Sequence, residues 1–359
     1  MPKVLTGPVE VMGAGLLGTS IALALRKAGI EVWLSDINSE HVRTASGLGA
    51  GIPRPHHQRP QLVVVAVPPA HLAASIVEAL DDGAYVTDVG SVKAGPLEEV
   101  ADQVEERALA RYVGGHPMAG NERSGPLAAS SALFEGRPWA ITQHVQSDPT
   151  AVALVEELVE VCGALPVRMT PVEHDHAVAR TSHLPHMLAV LAAGQLTDAE
   201  PAHLVLSGQG VRDVTRVAAG APDLYGQILF ANAPVVAEVL VEVRDQLDRA
   251  IRALTSKDGD GGEVLEEILM RGNTGRGSLL GKHGGPAIES GSLFVVVPDG
   301  PGELARLLRD VGEIGVNIED LHIEHDPARP VGLVELTIAT ASIGRLADAL
   351  NERAWTTHR

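Results

Sequence analysis

The 359-residue chain has one cysteine, little positive charge and no long apolar run. A single thiol, Cys162, rules out an intrachain disulfide and makes a thiolate metal site a poor reading. Within "LVEVCGAL" it reads as a small buried apolar residue. Lys and Arg number 28 against 46 Asp and Glu, a formal net charge of −18. That balance argues against nucleic-acid partners and anionic membranes, which attract basic surfaces; an anionic ligand would need a local cationic pocket. The opening "MPKVLTGPVEVMG" lacks the apolar core of a secretion signal, and "LPHMLAVLAAGQL" is too short to span a bilayer. The expectation is a cytoplasmic protein.

The chain is nonetheless 45% hydrophobic, enough for packed cores in two or three domains. Up to about Thr170, short Val- and Ile-rich runs alternate with helical segments: "VEVMGAG", "IEVWLSD", "QLVVVAVPP", "AYVTDVGS", "RYVGGHP", "PWAITQ" and "LPVRM". Strands that are apolar throughout are buried on both faces, so these predict a Rossmann-type, doubly wound parallel sheet with ligands at its carboxyl edge. From Pro171 the strand signals stop, and stretches such as "APVVAEVLVEVRDQLDRAIRAL" predict an all-helical domain. Its helices are apolar on more than one side, which predicts a helix-mediated homodimer, the alternative being packing against the first domain alone. "RGNTGRGSLLGKHGGPAIESGS" reads as a linker into a third, α/β unit. The predicted domains are 1–170, 171–283 and 290–359.

Gly13, Gly15 and Gly18 form a G-x-G-x-x-G run after a strand and at the start of a helix. The first allows the tight turn, the second a close approach of pyrophosphate, the third close packing of helix on strand. Leu16 and Leu17 lie in the first helical turn, whose free amides suit phosphate, and Pro68 ends a neighbouring strand. Asp36 ends the next strand at the spacing of a ribose-binding carboxylate, and no arginine directly follows it, which favours NAD over NADP. Asp36 could instead cap a helix starting near Ser39.

"VGGHPMAGNERSG" is neither periodic nor alternating, so it reads as a loop. It brings His116 to the same edge as Asp88, Ser91, Pro68 and Pro69, where an imidazole could accept a proton near neutral pH. "EHDHAVARTSHLPHML" carries His174, His176, His183 and His186. With no thiolates and no H-E-x-x-H pattern, no metal is expected there; Pro185 suggests a helix start capped by Ser182, with His183 and His186 facing substrate or bonding structurally. Arg212 and Arg216 share a helix face and could grip a carboxylate, or pair with surface acids.

Taken together, "GAGLLGTS", "DVGSVK", "HPMAGNERSG", "SHLPH" and "RDVTR" make the chain resemble the prephenate dehydrogenase family, which includes arogenate and cyclohexadienyl dehydrogenases. The C-terminal "VVVPDGPGELARLLRDVGEIGVNIEDLHIE" resembles an ACT domain, a βαββαβ module that binds amino acids as a regulator. The resemblance implies NAD-dependent oxidative decarboxylation of the dianion prephenate in tyrosine biosynthesis, with arogenate or 4-amino-4-deoxyprephenate as alternative substrates. A non-catalytic amino-acid sensor is the alternative from another class.

By the same resemblance His116 is the catalytic histidine, Ser91 orients it, and Arg216 binds the ring carboxylate. His183 and His186 lie near substrate, and Glu122 influences access. Tyrosine is the implied allosteric effector; the turn of "PDGPGEL", which exposes backbone donors ahead of a helix, and "GVNIED" make Asp299, Gly302 and Asn317 its candidate site, unless the unit only stabilises the oligomer. Leu224, Tyr225 and Gly226 depart from the tryptophan and polar residue of several relatives.

Overall fold

The computed structural model describes residues 4–55, 57–119, 124–256, 261–279, 289–325 and 331–358. The chain forms two compact units, Met1–Asp245 and Gln246–Arg359.

The first unit begins with β1 (Val9–Met12), α1 (Leu16–Lys27), β2 (Val32–Ser35), α2 (Ser39–Gly47), β3 (Ile52–Pro53), β4 (Leu62–Val65), α3 (Leu72–Asp81) and β5 (Tyr85–Asp88). All five strands are parallel, in the order β3-β2-β1-β4-β5. Every residue of β4 is buried, as the unbroken "LVVV" run requires of a strand covered on both faces.

The elements that follow are α4 (Ala94–Ala101), α5 (Glu106–Leu109), β6 (Gly114–Pro117), β7 (Pro138–Thr142), α6 (Pro149–Val161) and β8 (Leu165–Met169). Here the expected single parallel sheet needs correction. The last three strands form their own sheet, β6-β7-β8, and β6 pairs with β7 antiparallel. Among the described residues only a short 3-10 turn, Pro126–Ala128, lies between β6 and β7, and parallel pairing would need a long crossover. Tyr112 still makes a parallel bridge to Val86, so the chain entering β6 runs alongside β5 and carries His116 to the carboxyl edge.

The helical region comprises α7 (Pro171–Val178), a π turn (Ala179–His183), α8 (Leu184–Gly194), α9 (Pro201–Leu204), α10 (Gln209–Thr215), α11 (Pro222–Ala231) and α12 (Ala233–Thr255), the last continuing into the second unit. Ser182 caps no helix start, contrary to expectation, because the chain passes from α7 through the π turn into α8 without leaving helical geometry. Among the described residues no single helix is long and apolar enough to cross a membrane, although α11 and α12, bent by 94°, together meet that test of length and composition.

The second unit continues with α13 (Gly261–Gly277), β9 (Ser290–Pro298), α14 (Glu303–Ile314), β10 (Asp320–His325), β11 (Val331–Ala339), α15 (Ile343–Glu352) and β12 (Thr356–His358). The stretch read as a linker is largely structured at its ends: α13 covers Arg271–Gly277, and β9 takes in Ser290–Ser292. Exposed glycines weaken a helix by only about 1 kcal/mol each, and here the "GEVLEEILM" run ahead of them propagates the helix. The final six elements run βαββαβ, with antiparallel sheet order β10-β11-β9-β12. Leu293, Val295, Leu307, Leu336, Leu346 and Trp355 build its core.

Candidate active site

The glycine loop shows what its residues are for. A Cβ on Gly13, whose φ is +103°, would lie 2.4 Å from the Ala66 carbonyl oxygen, and one on Gly18 would lie 1.9 Å from that of Gly13. Both positions therefore exclude side chains, whereas a Cβ on Gly15 would meet nothing within 4 Å. The space at Gly15, beside the N-terminus of α1, fits the pyrophosphate of a dinucleotide. Leu16 and Leu17 open α1, and no acidic residue stands in its first turn to oppose phosphate. Asp36 does not cap α2; Asn38 does, accepting from the Glu40 amide. The Asp36 carboxylate instead accepts from the Ala14 amide and the Asn38 amide, both at 2.7 Å, which fixes it beside the loop. Pro68 follows β4 and stands immediately before a short 3-10 turn, Pro69–His71.

Beyond β5 the chain builds a buried polar core. Lys93, 1% exposed, forms an ion pair with Asp88, which is fully buried, and donates to the Gly115 carbonyl oxygen at 2.9 Å. Asp88 also accepts from the Tyr112 hydroxyl at 2.9 Å and the Gly90 amide at 2.8 Å. Burial lowers the Lys93 pKa against the opposing pull of Asp88, and burial raises that of Tyr112 well above its usual value. The glycines preceding His116 let this core close: a Cβ on Gly115 would stand 2.8 Å from the Asp88 carbonyl oxygen and 2.9 Å from Trp139 Nε1.

His116 emerges from this core at the end of β6. Its Nδ1 lies 2.9 Å from His174 Nε2, and His174 Nδ1 lies 2.8 Å from Asp175 Oδ1. Asp175 in turn accepts from the amides of Lys93 and Ala94, each at 2.9 Å, at the start of α4. A capping box sets α7 in place for this. Thr170 Oγ1 accepts from the Glu173 amide, the Glu173 carboxylate accepts from the Thr170 amide, and Pro171 occupies the first turn. His116 Nε2 makes no hydrogen bond to a described residue.

Burial, then the neighbouring His174, Lys93 and His183, hold the pKa of His116 well below its usual value of 6.5. At neutral pH its imidazole is therefore uncharged and able to accept a proton. Lost on acidification, this capacity should place the acid limb of kcat/KM below pH 6.5; a pH–rate profile checks this, and a limb above 6.5 would contradict it.

His183 is 2% exposed, with its Nδ1 3.3 Å from Asn232 Nδ2. Asn232 also donates to the Asp175 carbonyl oxygen at 2.9 Å. His186 stacks on Tyr225, ring centroids 3.6 Å apart and planes 3° from parallel, and its buried Nδ1 has no hydrogen-bond partner among the described residues. The Gly220 position lies against the same tyrosine, so that a Cβ there would be 2.4 Å from its ring. Both histidines thus have structural contacts, and the departure at Tyr225 packs directly on one of them.

Ser91 makes no hydrogen bond to His116 among the described residues; with Pro69, Leu72, Val92 and Ala231 it lines a cavity of about 80 Å³. Arg216 caps the C-terminus of α10 and opens a 3-10 turn, Arg216–Ala219; it is exposed and pairs with no described carboxylate, nor does Arg212. The backbone of its neighbour Val217 opposes the lowering of the His186 pKa by burial. Glu122 lies outside the described residues. Among the described residues no cluster of His, Cys, Asp and Glu has the makings of a metal site. Sequence reasoning missed Asp175, Lys93 and Asn232 as parts of the site. The T-x-x-E signature at Thr170–Glu173 could have placed His174 and Asp175 near the start of a helix.

Known proteins resemble this chain along most of its length. Residues 21–167 match the family described as prephenate dehydrogenase, nucleotide-binding domain, and residues 170–270 its dimerization domain. The Streptomyces niveus protein named "Probable prephenate dehydrogenase NovF" is 36% identical over 96% of this chain and 98% of its own. The crystal structure of prephenate dehydrogenase from Aquifex aeolicus, in complex with hydroxyphenyl propionate and NAD+, is 26% identical with a TM-score of 0.65, covering 74% of this chain and 97% of that one. Synechocystis arogenate dehydrogenase is 25% identical with a TM-score of 0.64, covering 75% and 98%. The glycine loop that admits a dinucleotide, the histidine at the sheet edge and these matches identify the chain as an NAD-dependent oxidoreductase of the prephenate dehydrogenase family.

Proposed function

We propose that the protein converts prephenate to 4-hydroxyphenylpyruvate in tyrosine biosynthesis. The observation that carries this reading is His116, half-buried at the carboxyl edge, with one ring nitrogen engaged by His174 and the other unengaged by any described residue. Bound NAD+ supplies the two-electron acceptor for the reaction. His116 Nε2 takes the proton of the ring hydroxyl as the ring carbon is oxidised. The nascent ketone withdraws electrons from the ring, the C–C bond to the ring carboxylate breaks, and CO2 leaves as the ring becomes aromatic.

Ser91 orients the hydroxyl, and His183 and His186 border the substrate. Arg216, unpaired among described carboxylates, holds the ring carboxylate in place. Replacing it with alanine should raise KM for the dianion roughly tenfold to a hundredfold, the scale of a hydrogen bond to a charged group, with kcat less affected. Steady-state kinetics check this, and an unchanged KM removes the role.

The three regions 1–170, 171–283 and 290–359 are assigned to nucleotide binding, substrate binding with dimer formation, and regulation. Phe230, Leu206 and Val205 are more than four-fifths exposed, an apolar surface that suits a homodimer. The βαββαβ unit is assigned as an ACT domain that binds tyrosine near Asp299, Gly302 and Asn317. Gly302, at φ +88°, turns the chain into α14, and Asn317 donates to Glu319 at 2.6 Å. Tyrosine that neither binds nor alters activity would leave this unit a structural role.

NADH formation from prephenate, arogenate and 4-amino-4-deoxyprephenate, compared side by side, tests the substrate. Preference for prephenate is expected. The arogenate dehydrogenase likeness and Tyr225 on His186 favour the amino acid or the ring-amine as the second reading.

A further inference from the structure

We propose that His174 and Asp175 form a proton relay behind His116, which sets the protonation of its two ring nitrogens and takes up the positive charge formed in turnover. The inference rests on the reading of His116 as the base. Its foundation is the order of donors and acceptors along a fixed chain of contacts.

The Asp175 carboxylate already accepts from two backbone amides, Lys93 and Ala94. Facing it at 2.8 Å, His174 Nδ1 must carry a proton to make a hydrogen bond. A neutral His174 then has its lone pair on Nε2. That nitrogen lies 2.9 Å from His116 Nδ1, so His116 must donate there. The lone pair of neutral His116 is therefore left on Nε2, the nitrogen with no described partner. Each proton in the row is determined by the one before it, starting from two amides of a helix N-terminus.

The same row gives the substrate proton somewhere to go. When Nε2 of His116 bonds the hydroxyl proton, the O–H bond breaks and the imidazole becomes a cation. Its Nδ1 proton can then pass to His174 Nε2, one N–H bond breaking as another forms. The charge then lies on His174, beside the Asp175 carboxylate at 2.8 Å. His183, Lys93, Asp88 and Tyr112 also face this region, and none of them is hydrogen-bonded to either nitrogen of His116. The 1% exposure of His174 keeps water from substituting for it. His174 and Asp175 are thus positioning residues that act through His116.

His174→Phe keeps the ring's bulk and removes the acceptor; His174→Gln retains an amide oxygen able to accept from His116 Nδ1. In steady-state assays with NAD+, the Phe variant should lose roughly tenfold to a hundredfold in kcat with KM within about threefold, and the Gln variant should recover at least fivefold of it. Equal Phe and Gln variants, or a Phe variant with undiminished kcat, overturn the relay, and a Gln variant restored to wild-type kcat overturns the uptake of charge, because an amide oxygen accepts the hydrogen bond but not the proton. A second arm needs neither turnover nor a variant that folds. Long-range 1H–15N correlation on 15N-histidine-labelled wild-type protein should find His116 and His174 both protonated on Nδ1, and a proton on His116 Nε2 instead overturns the relay. If wild type oxidises none of the three substrates, the proposed function fails and the nuclear resonance result alone decides the relay.

Discussion

Changing His116 to asparagine should lower kcat by roughly two to four orders of magnitude, the usual contribution of a positioned general base, while NAD binding stays as it was. Asparagine preserves polarity at the end of β6 but has no lone pair able to take the hydroxyl proton. The nucleotide loop is anchored elsewhere, by the close packing of Gly13 on Ala66 and of Gly18 on Gly13, so the dissociation constant for NAD measures whether the scaffold has survived. Fluorescence titration with NADH and single-turnover kinetics separate the two effects. Near-normal kcat with an intact fold would remove His116 from the chemistry.

A large loss of stability is expected from Lys93→Met. The Lys93 and Asp88 side chains are 1% and 0% exposed, so removing the cation leaves a carboxylate in the interior with only Tyr112 and backbone amides to compensate it. Breaking a buried pair from one side costs about 3–5 kcal/mol, well above the worth of an exposed pair such as Arg180–Glu242. Urea unfolding followed by tryptophan fluorescence measures it, since Trp33 and Trp139 are buried in the same unit. A shift under about 1 kcal/mol would mean that Asp88 finds a replacement for its cation at little cost. Because Lys93 also bonds the Gly115 carbonyl, residual folded protein should show a displaced His116 and reduced turnover.

Local chemistry was the part of this molecule that the sequence disclosed well. The glycine spacing and the strand leading to Asp36 follow from short-range rules, and the structure has them where those rules put them, whereas His116, read as a loop residue, stands within β6 and pairs with Ala140 of β7. The reversal of β6 against β7 was hidden because four residues, "GGHP", carry no signal of direction; only the pairing with Trp139 and Ala140 supplies it. The helix through Arg271–Gly277 was hidden by its glycines, which mark breaks in most contexts and here sit exposed on a helix already under way. His174 was visible as one histidine among four, but its partners were not: His116 is 58 residues away, and the amides that hold Asp175 are 81 and 82 residues away. Separations of that size are settled by tertiary packing, which no local pattern encodes.

Asp175 also has a mechanical side. Its carboxylate spans from α7, in the helical region, to the first amides of α4, which belongs to the layer around the parallel sheet. Any hinge motion that parted those two layers would have to rupture these bonds, and the ordered row of imidazole protons would lose its anchor with them. On the proposed reading of His116, parting α7 from α4 and loosening the base would then be one event.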